Sequence, residues 1–359
     1  MKILDRYIFS QYMRTFIFST VAFASIFIVI SMVEKIGKLM DMKLGTFDII
    51  RYYLFSIPTI FLITSPVSSL LSSMLVSGRL SFSSELPAIR SAGVSMKQFL
   101  IPFALGGTII TSLNLFNACW LAPTSYPVVN SFEKQYINHS NQTVAGIRNI
   151  HILEPGNRIV SIGMIGENAV TLKNVSIENL DKSHLVSRTD AESLHYDPAA
   201  REWIMQNVST RIFNTGKEVF SFIQQQPVKL SFTPHSLKEL DLNPDEMNLV
   251  HHYRYLDEKQ KAGFSGLERS IVTFHTKFSM PLASLIIVFI GVPLSARKKR
   301  GGLAGEIGIT LLIGLLYLGL QKVFAIAGEQ GALNPVLAAW LPEIMFAGIG
   351  YAILKTSLD

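Results

Sequence analysis

The chain has 359 residues, of which 49% are hydrophobic and only 16% are charged. Soluble domains carry about 25% charged residues, so this composition argues against an ordinary water-soluble enzyme. The formal net charge is +6. The excess Lys and Arg lie beside long apolar segments, which indicates membrane topology signals rather than nucleic-acid binding. The single cysteine, Cys119, excludes a disulfide within the chain.

Apolar runs long enough to cross a membrane occur at both ends of the chain. Four of them contain no Asp, Glu, Lys or Arg: Thr15–Val33, Tyr52–Ser77, Gln98–Phe132 and Phe278–Ala296. Two more, near 303–327 and 335–354, contain a few charged residues. A bilayer core of about 30 Å requires about 20 apolar residues in a helix. The sequence therefore predicts six transmembrane helices, three before and three after a polar middle.

Lys and Arg in the short connecting segments predict the orientation. They occur at the N-terminus, in the loop 78–97, in "RKKR" at 297–300 and at the C-terminus. With six spans these four segments lie on one side of the membrane, and the positive-inside rule makes that side the cytoplasm. The polar middle then lies outside. The segment 34–51 departs mildly from the rule, because it places four cations on the outer side.

The polar middle, about 133–265, has the alternation of apolar and polar residues that is typical of β-strands. Examples are "NRIVSIGMIG" at 157–166 and "EWIMQNVSTRIF" at 202–213, with turn signals between the runs. Short strands at this spacing predict a sandwich, a jelly roll or a barrel. An open strand edge can accept a strand from another protein, although most edge strands are merely protected.

Sequence motifs for catalysis are absent. The chain has no GxxxxGK[ST] loop, and it lacks HExxH, CxxC and GxSxG. Gly37-Lys38 and Gly216-Lys217 lack both the upstream glycine and the following Ser or Thr of a phosphate-binding loop. We therefore expect no ATP hydrolysis by this chain, no catalytic residues, no metal and no cofactor.

The segment "SELPAIRSAG" at 84–93 carries the signature of a short helix between the second and third spans. Ser84 is expected to cap the helix with its side chain, and Glu85 favours the positive helix end. Pro87 is tolerated in a first turn, and Gly93 is a typical stop. A helix of two turns is unstable alone in water. It is therefore either an ordinary turn between spans or an element that docks on the membrane surface or on a partner.

Six segments resemble the LptF/LptG permeases of the lipopolysaccharide exporter. In chain order they are "ILDRYIFSQY" (3–12), "SELPAIRSAGVS" (84–95), "WLAP" (120–123), "FHTKFSMPLASL" (274–285), "GVPLSARKKRGG" (291–302) and "GALNPVLAAWLPEIMF" (331–346). Their order relative to six spans covers nearly the whole chain, and the outer domain is the weakest part. The opening "LDRYI" favours the LptG branch.

The resemblance implies an integral membrane α-helical fold with six transmembrane helices, arranged 3+3, and an inserted all-β periplasmic β-jelly-roll domain. The three parts are then 1–132, 133–265 and 266–359. It implies a non-enzymatic permease of a Gram-negative inner membrane, with both termini in the cytoplasm. The implied partners are lipopolysaccharide as substrate, a homologous six-span permease, two cytoplasmic ABC ATPase subunits, and a periplasmic jelly-roll bridge protein with its membrane anchor.

The resemblance also implies a role for the short helix. It would be the coupling helix, which lies in a groove of the ATPase, and Glu85 matches the acidic residue of the family there. The implied ATPase-coupling residues are Ser84, Glu85, Ala88, Arg90 and Gly93. Pro87 departs from the family, in which a helix former is more usual, and it leaves the start of the helix open.

Cations at the outer ends of the spans are the candidate substrate-binding residues: Lys35, Lys38, Lys43 and Lys322. Lys35 and Lys38 are three residues apart and share one helical face if the first span continues past Glu34. Cations inside a membrane protein often mark a pathway, and Lys binds phosphate well. The resemblance implies that basic residues at the ends of spans one and five line the cavity and contact the phosphates of lipid A.

Other interpretations of these cations stay open. Long Lys side chains reach lipid headgroups by themselves. Lys35 has acidic neighbours in Glu34 and Asp41, and Glu343 in the sixth span is an alternative partner for Lys322.

Two other functions also fit the sequence. One is a different ABC-type permease with an extracytoplasmic domain, a class that usually has four spans. The other is a membrane-anchored periplasmic scaffold whose β domain only recruits partners. For a scaffold the helix at 84–93 would be dispensable.

Overall fold

The computed structural model of the chain describes residues 3–41, 45–137, 148–154, 157–166, 169–181, 184–214, 217–238, 243–261, 264, 266–296 and 302–358. The chain divides into two compact units. The first combines Met1–His139 with Glu268–Asp359, and the second is Ser140–Leu267. The first unit is helical, and a β-sheet dominates the second.

In the N-terminal part of the helical unit, the described residues 3–41 and 45–137 contain five α-helices. They are α1 (Ile3–Asp41), α2 (Thr46–Phe82), α3 (Glu85–Ser91), α4 (Met96–Phe116) and α5 (Ala122–Phe132). A π-helical turn at Asn117–Leu121 joins α4 to α5, and a second at Glu133–Ile137 continues α5. Together α4, α5 and the two π turns form one long helical segment.

The second unit is built on six antiparallel strands. They are β1 (Arg148–Glu154), β2 (Arg158–Ile165), β3 (Thr171–Asp181), β4 (His184–Asp197), β5 (Glu202–Asn214) and β6 (Lys217–Val228). Each described strand pairs with its neighbours in sequence, in the order β1 to β6. This confirms the inserted all-β domain. The strand order is that of a meander, which is simpler than the crossings of a jelly roll. The described residues after β6 form two α-helices, α6 (Pro234–Lys238) and α7 (Leu249–Lys261), with a 3-10 turn at Pro244–Glu246 between them.

The chain then returns to the helical unit with α8 (Glu268–Ile286), α9 (Val288–Ser295), α10 (Gly302–Glu329) and α11 (Pro335–Leu358). Among the described residues, six segments are long and apolar enough to cross a membrane, which confirms the predicted number of spans. They are Ile3–Lys35, Thr46–Phe82, Met96–Tyr136, Glu268–Ser295, Gly305–Glu329 and Pro335–Thr356. Large apolar side chains on α1 and α10 point outward, such as Val21 (61% exposed) and Leu315 (69%). This suits a lipid environment.

The helix α2 packs against α1, α5, α8, α9 and α10, and a row of buried serines lines its contact face. The serines are Ser65, Ser68, Ser69, Ser72, Ser73, Ser77 and Ser81. Ser69 donates a hydrogen bond to the carbonyl of Ser284 at 2.7 Å, and Ser77 donates to that of Val292 at 3.2 Å. Small residues let membrane helices approach closely, and their hydroxyls bond across the interface. These contacts fix α2 against the fourth span.

Gly106 of α4 lies against the buried ring of Tyr12 in α1. A Cβ atom there would lie 2.6 Å from two ring atoms of Tyr12. The ring is fully buried, and its hydroxyl shares a 2.7 Å hydrogen bond with Ser69 of α2. The ring therefore has no free direction in which to move.

Gly106→Ala is expected to lower the free energy of unfolding by about 1–3 kcal/mol, as overpacking does in a close-packed core. The measurement is the thermal unfolding midpoint of the full chain in detergent. Gly308→Ala in α10 is the matched control, because a Cβ there meets no atom within 4 Å. Equal midpoints for the two variants would contradict the predicted contact.

Candidate functional site

The helix α3 connects the second and third spans, and its start differs from the prediction. Ser84 has φ 62° and ψ 13°, which is the left-handed region, and its side chain makes no capping hydrogen bond. The predicted Ser84 cap is therefore wrong, because a capping side chain needs extended backbone at that position. Instead, Ser83 Oγ donates a 2.8 Å hydrogen bond to Glu85 Oε1. This bond holds the Glu85 carboxylate beside the first turn.

The end of α3 follows the prediction. Gly93 has φ +87°, and its N–H donates to the carbonyl of Arg90 at 3.0 Å. The N–H of Val94 donates to the carbonyl of Ile89 at 3.4 Å. This pair of bonds is a Schellman ending, which glycine favours because it adopts a positive φ without strain. The helix starts at Glu85, so Pro87 falls in the first turn, where its missing N–H is not needed.

One side chain anchors α3 to the helical unit. Leu86 is 3% exposed and belongs to the buried cluster that includes Leu80, Met96 and Phe99. The predicted coupling residues Ser84, Glu85, Ala88, Arg90 and Gly93 are all exposed. The helix therefore combines a fixed inner side with an open outer surface.

Phe82 adds an apolar group to the same surface. It is 65% exposed and ends α2 just before α3 begins. Phe82 and Leu86 were not predicted from the sequence as site residues. The signal for them was present, because large apolar residues in a short polar connection need a surface to cover them.

A second cluster lies at the opposite end of α2. We call Lys35, Tyr52 and Glu133 the Lys35 cluster. Lys35 Nζ lies 2.7 Å from Glu133 Oε1 and also donates to the hydroxyl of Tyr52. The Tyr52 hydroxyl in turn donates to Glu133 Oε1 at 2.7 Å. The described partner of Lys35 is therefore a carboxylate from the third span and not that of its neighbour Glu34, while the side chain of Asp41 lies outside those described.

Aromatic rings hold the Lys35 cluster in place. The ring of Tyr52 stacks on Phe132 with a centroid distance of 4.7 Å, and Phe132 also contacts Tyr136. Lys35 Nζ lies 4.9 Å from the centre of the Tyr52 ring, within range of a cation–π contact. Glu133 follows Phe132 directly and begins the π-helical turn. The sequence signal for Glu133 was its position, as the first charge after the apolar run of the third span.

Fewer contacts are described for the other three predicted cations. Lys38 lies in α1, but its side chain is not among those described, and Lys43 lies outside the described residues. Lys322 is exposed on α10 and has no ion-pair partner among the described residues. Glu343 accepts a 3.1 Å hydrogen bond from the hydroxyl of Tyr317, so the suggested Lys322–Glu343 pair is absent among the described contacts.

Among the side chains that the structure describes, three charged ones are buried inside the spans. They are Lys277 (7% exposed), Glu306 (9%) and Glu343 (3%). Gly78 of α2 lies against the Glu306 carboxylate, and a side chain at Gly78 would collide with it. Lys277 was not selected from the sequence, although a charge within an apolar span is itself a signal of function.

Comparison with known proteins decides the family. Residues 6–356 match the family described as "Lipopolysaccharide export system permease LptF/LptG". The chain belongs to the LptF/LptG family. It is also similar to the lipopolysaccharide export system permease protein LptG of Haemophilus influenzae, at 20% identity over 364 residues, which is 99% of each chain.

Membership of the LptF/LptG family makes this chain a lipopolysaccharide transport permease, and a permease of this kind is not an enzyme. It confirms the resemblance carried by the six sequence segments. The match extends over α3, the Lys35 cluster and the β-sheet unit. The six described spans also count against the alternative class of permease that has four.

Proposed function

We propose that this LptF/LptG permease is one half of an ATP-driven exporter. It takes lipopolysaccharide from the outer leaflet of the inner membrane and passes it to a periplasmic bridge. One observation carries the proposal: α2 runs as one helix from Thr46 to Phe82, from the Lys35 cluster to α3. Its 37 residues span about 55 Å at 1.5 Å per residue. A single continuous helix thus connects a candidate energy input with a candidate lipid site.

The energy comes from outside the chain, which has no phosphate-binding loop. Two cytoplasmic ABC ATPase subunits drive the pair of permeases, and the exposed surface of α3 lies in a groove of the ATPase, which it contacts through Glu85, Ala88 and Arg90. Closure of the ATPase moves α3 as a rigid body. Because Leu86 anchors α3 in the helical unit, the movement passes into the spans.

A second six-span permease supplies the other half of the cavity. The lateral opening lies between the first span of one permease and the fifth span of the other. The exposed apolar side chains of α1 and α10 support this arrangement, since both helices bury little of their surface within the chain. This chain is the LptG member of the pair, an assignment supported by the similar LptG protein.

The lipid phosphates bind the outer cations Lys35, Lys38, Lys43 and Lys322, and the acyl chains lie in the apolar cavity. Closure of the cavity moves the lipid toward the periplasmic β domain. A bridge protein of similar fold, held by its own membrane anchor, continues the path. Both termini and α3 are cytoplasmic, as the Lys and Arg of the short loops favour.

A photoreactive residue at Lys35 or Lys38 tests the lipid site. In cells that contain the whole exporter, we expect crosslinked adducts with lipopolysaccharide at both positions. The control position is Leu113 on α4, which is 56% exposed. Adducts at Lys35 and Lys38 that do not exceed those at Leu113 would remove both residues from the substrate path.

A further inference from the structure

The ammonium group of Lys35 already has an anionic partner within the chain. Glu133 Oε1 is 2.7 Å from Lys35 Nζ, which is an ion-pair distance. The hydroxyl of Tyr52 donates to the same carboxylate oxygen at 2.7 Å. A lipid phosphate that binds Lys35 must therefore displace Glu133 or share the ammonium group with it.

The cluster is fixed on one side and open on the other. Tyr52 is 5% exposed and stacks on Phe132, which is itself buried. The side chains of Lys35 and Glu133 are 21% and 34% exposed, so a headgroup has access to the ion pair. The three members come from three spans, at the C-terminal part of α1, the start of α2 and the first residue of the π turn that follows α5. Their relative positions are therefore set by packing of the helices, not by a flexible loop.

The charge of a lipid headgroup decides whether it can replace a carboxylate. A phosphate monoester carries a charge of about −1.5 to −2 near pH 7. A phosphodiester headgroup, such as that of phosphatidylglycerol, carries a single negative charge, the same as a carboxylate. A phosphodiester thus carries no more negative charge than the Glu133 carboxylate that it would displace, whereas a phosphate monoester carries more.

We propose that Glu133 is a specificity-determining counter-ion of Lys35, which admits lipids with phosphate monoesters and excludes phospholipids with single phosphodiesters. The inference rests on the proposed function, in which Lys35 contacts the transported lipid. Without such a lipid, the Glu133 carboxylate forms an ion pair with the Lys35 ammonium group. A phosphate monoester takes its place, and the Tyr52 hydroxyl remains beside the ammonium group. Bulk phospholipids, which surround the protein in large excess, do not occupy the site.

The test compares the affinity of two lipids for the purified exporter in nanodiscs of neutral lipid. The probes are lipid A that carries phosphate monoesters and phosphatidylglycerol. Glu133→Gln is expected to bind phosphatidylglycerol about fivefold more tightly, the scale of one partly exposed ion pair. Lipid A displaces the same carboxylate and should gain by a similar factor, so the readout is phosphatidylglycerol binding, which the wild type excludes and the variant admits. Glu34→Gln is the matched control, because it removes the same charge from an exposed neighbour of Lys35. It should leave the affinity for phosphatidylglycerol unchanged.

Two further variants separate the possible causes. In the double variant Lys35→Gln, Glu133→Gln, the effect of the Glu133 change should vanish, because its partner is gone. Tyr52→Phe removes only the hydroxyl and should raise the affinity for phosphatidylglycerol by a smaller factor. Tyr52→Phe also serves as the test variant if the exporter with Glu133→Gln does not assemble. Thermal unfolding midpoints of all variants show whether the fold is retained.

The outcomes distinguish this inference from the proposed function. If Lys35→Gln weakens lipid A binding but Glu133→Gln and Tyr52→Phe keep the wild-type affinity for phosphatidylglycerol, the counter-ion role is wrong and the substrate contact stands. A gain in phosphatidylglycerol affinity that persists without Lys35 also overturns it. If Lys35→Gln leaves lipid A binding unchanged, Lys35 is not in the substrate site, and the proposed function loses this contact.

Discussion

Glu85→Lys is expected to reduce co-purification of the ATPase by about tenfold or more and to stop lipopolysaccharide transport. Glu85 is exposed in the first turn of α3, where its carboxylate accepts a bond from Ser83. Loss of one partner from a charge pair that becomes buried in an interface costs about 2–5 kcal/mol. Lysine also places a positive charge at the positive end of the helix. Membrane insertion should be unaffected, because Glu85 makes no described contact with the other spans.

Affinity purification of the full chain with the ATPase, followed by immunodetection of both, measures this effect. Asp48→Lys is the matched control. Asp48 is an exposed acidic residue in a first helical turn, but it lies at the opposite end of α2. The Asp48→Lys variant should co-purify with the ATPase as the wild type does. Unchanged transport and ATPase binding in Glu85→Lys would instead favour the scaffold function, in which α3 is an ordinary connection.

The spans could be predicted because a membrane core excludes charge, but their ends could not. The uncharged run of the first span stops at Val33, before Glu34 and Lys35, whereas α1 continues to Asp41. The uncharged run of the third span stops at Phe132, whereas the helical segment continues through the π turn to Ile137. Helices extend beyond the hydrocarbon layer, and charged side chains there reach water or each other. The first charged residue after an apolar run therefore marks the edge of the apolar layer, not the end of the helix.

The details of the two sites depended on contacts that are distant in sequence. The end of α3 was predictable, because the positive φ of Gly93 is a local property. The conformation of Ser84 was not, because it is accompanied by the burial of Leu86 against Met96 and Phe99. The partner of Lys35 was sought among its neighbours, whereas Glu133 is 98 residues away. Only the packing of the first and third spans brings these two charges together.

Leu86→Ala is expected to uncouple ATP hydrolysis from transport. Leu86 is the one buried residue among the seven described residues of α3. Truncation of a buried leucine costs about 2–5 kcal/mol, and a helix this short has little stability of its own. The exposed residues Glu85 and Arg90 remain, so the ATPase should still bind. Its movement would then displace α3 without moving α2.

The decisive quantity is the amount of ATP hydrolysed per lipopolysaccharide released from proteoliposomes of the whole exporter. For Leu86→Ala this ratio should rise about fivefold or more, if most of the anchoring energy is lost. Ile89→Ala is the matched control, because Ile89 is a similar apolar residue of α3 that is only half-buried. Its ratio should stay near that of the wild type. A parallel loss of hydrolysis and transport in both variants would mean that α3 serves only to bind the ATPase, and that the force enters the spans elsewhere.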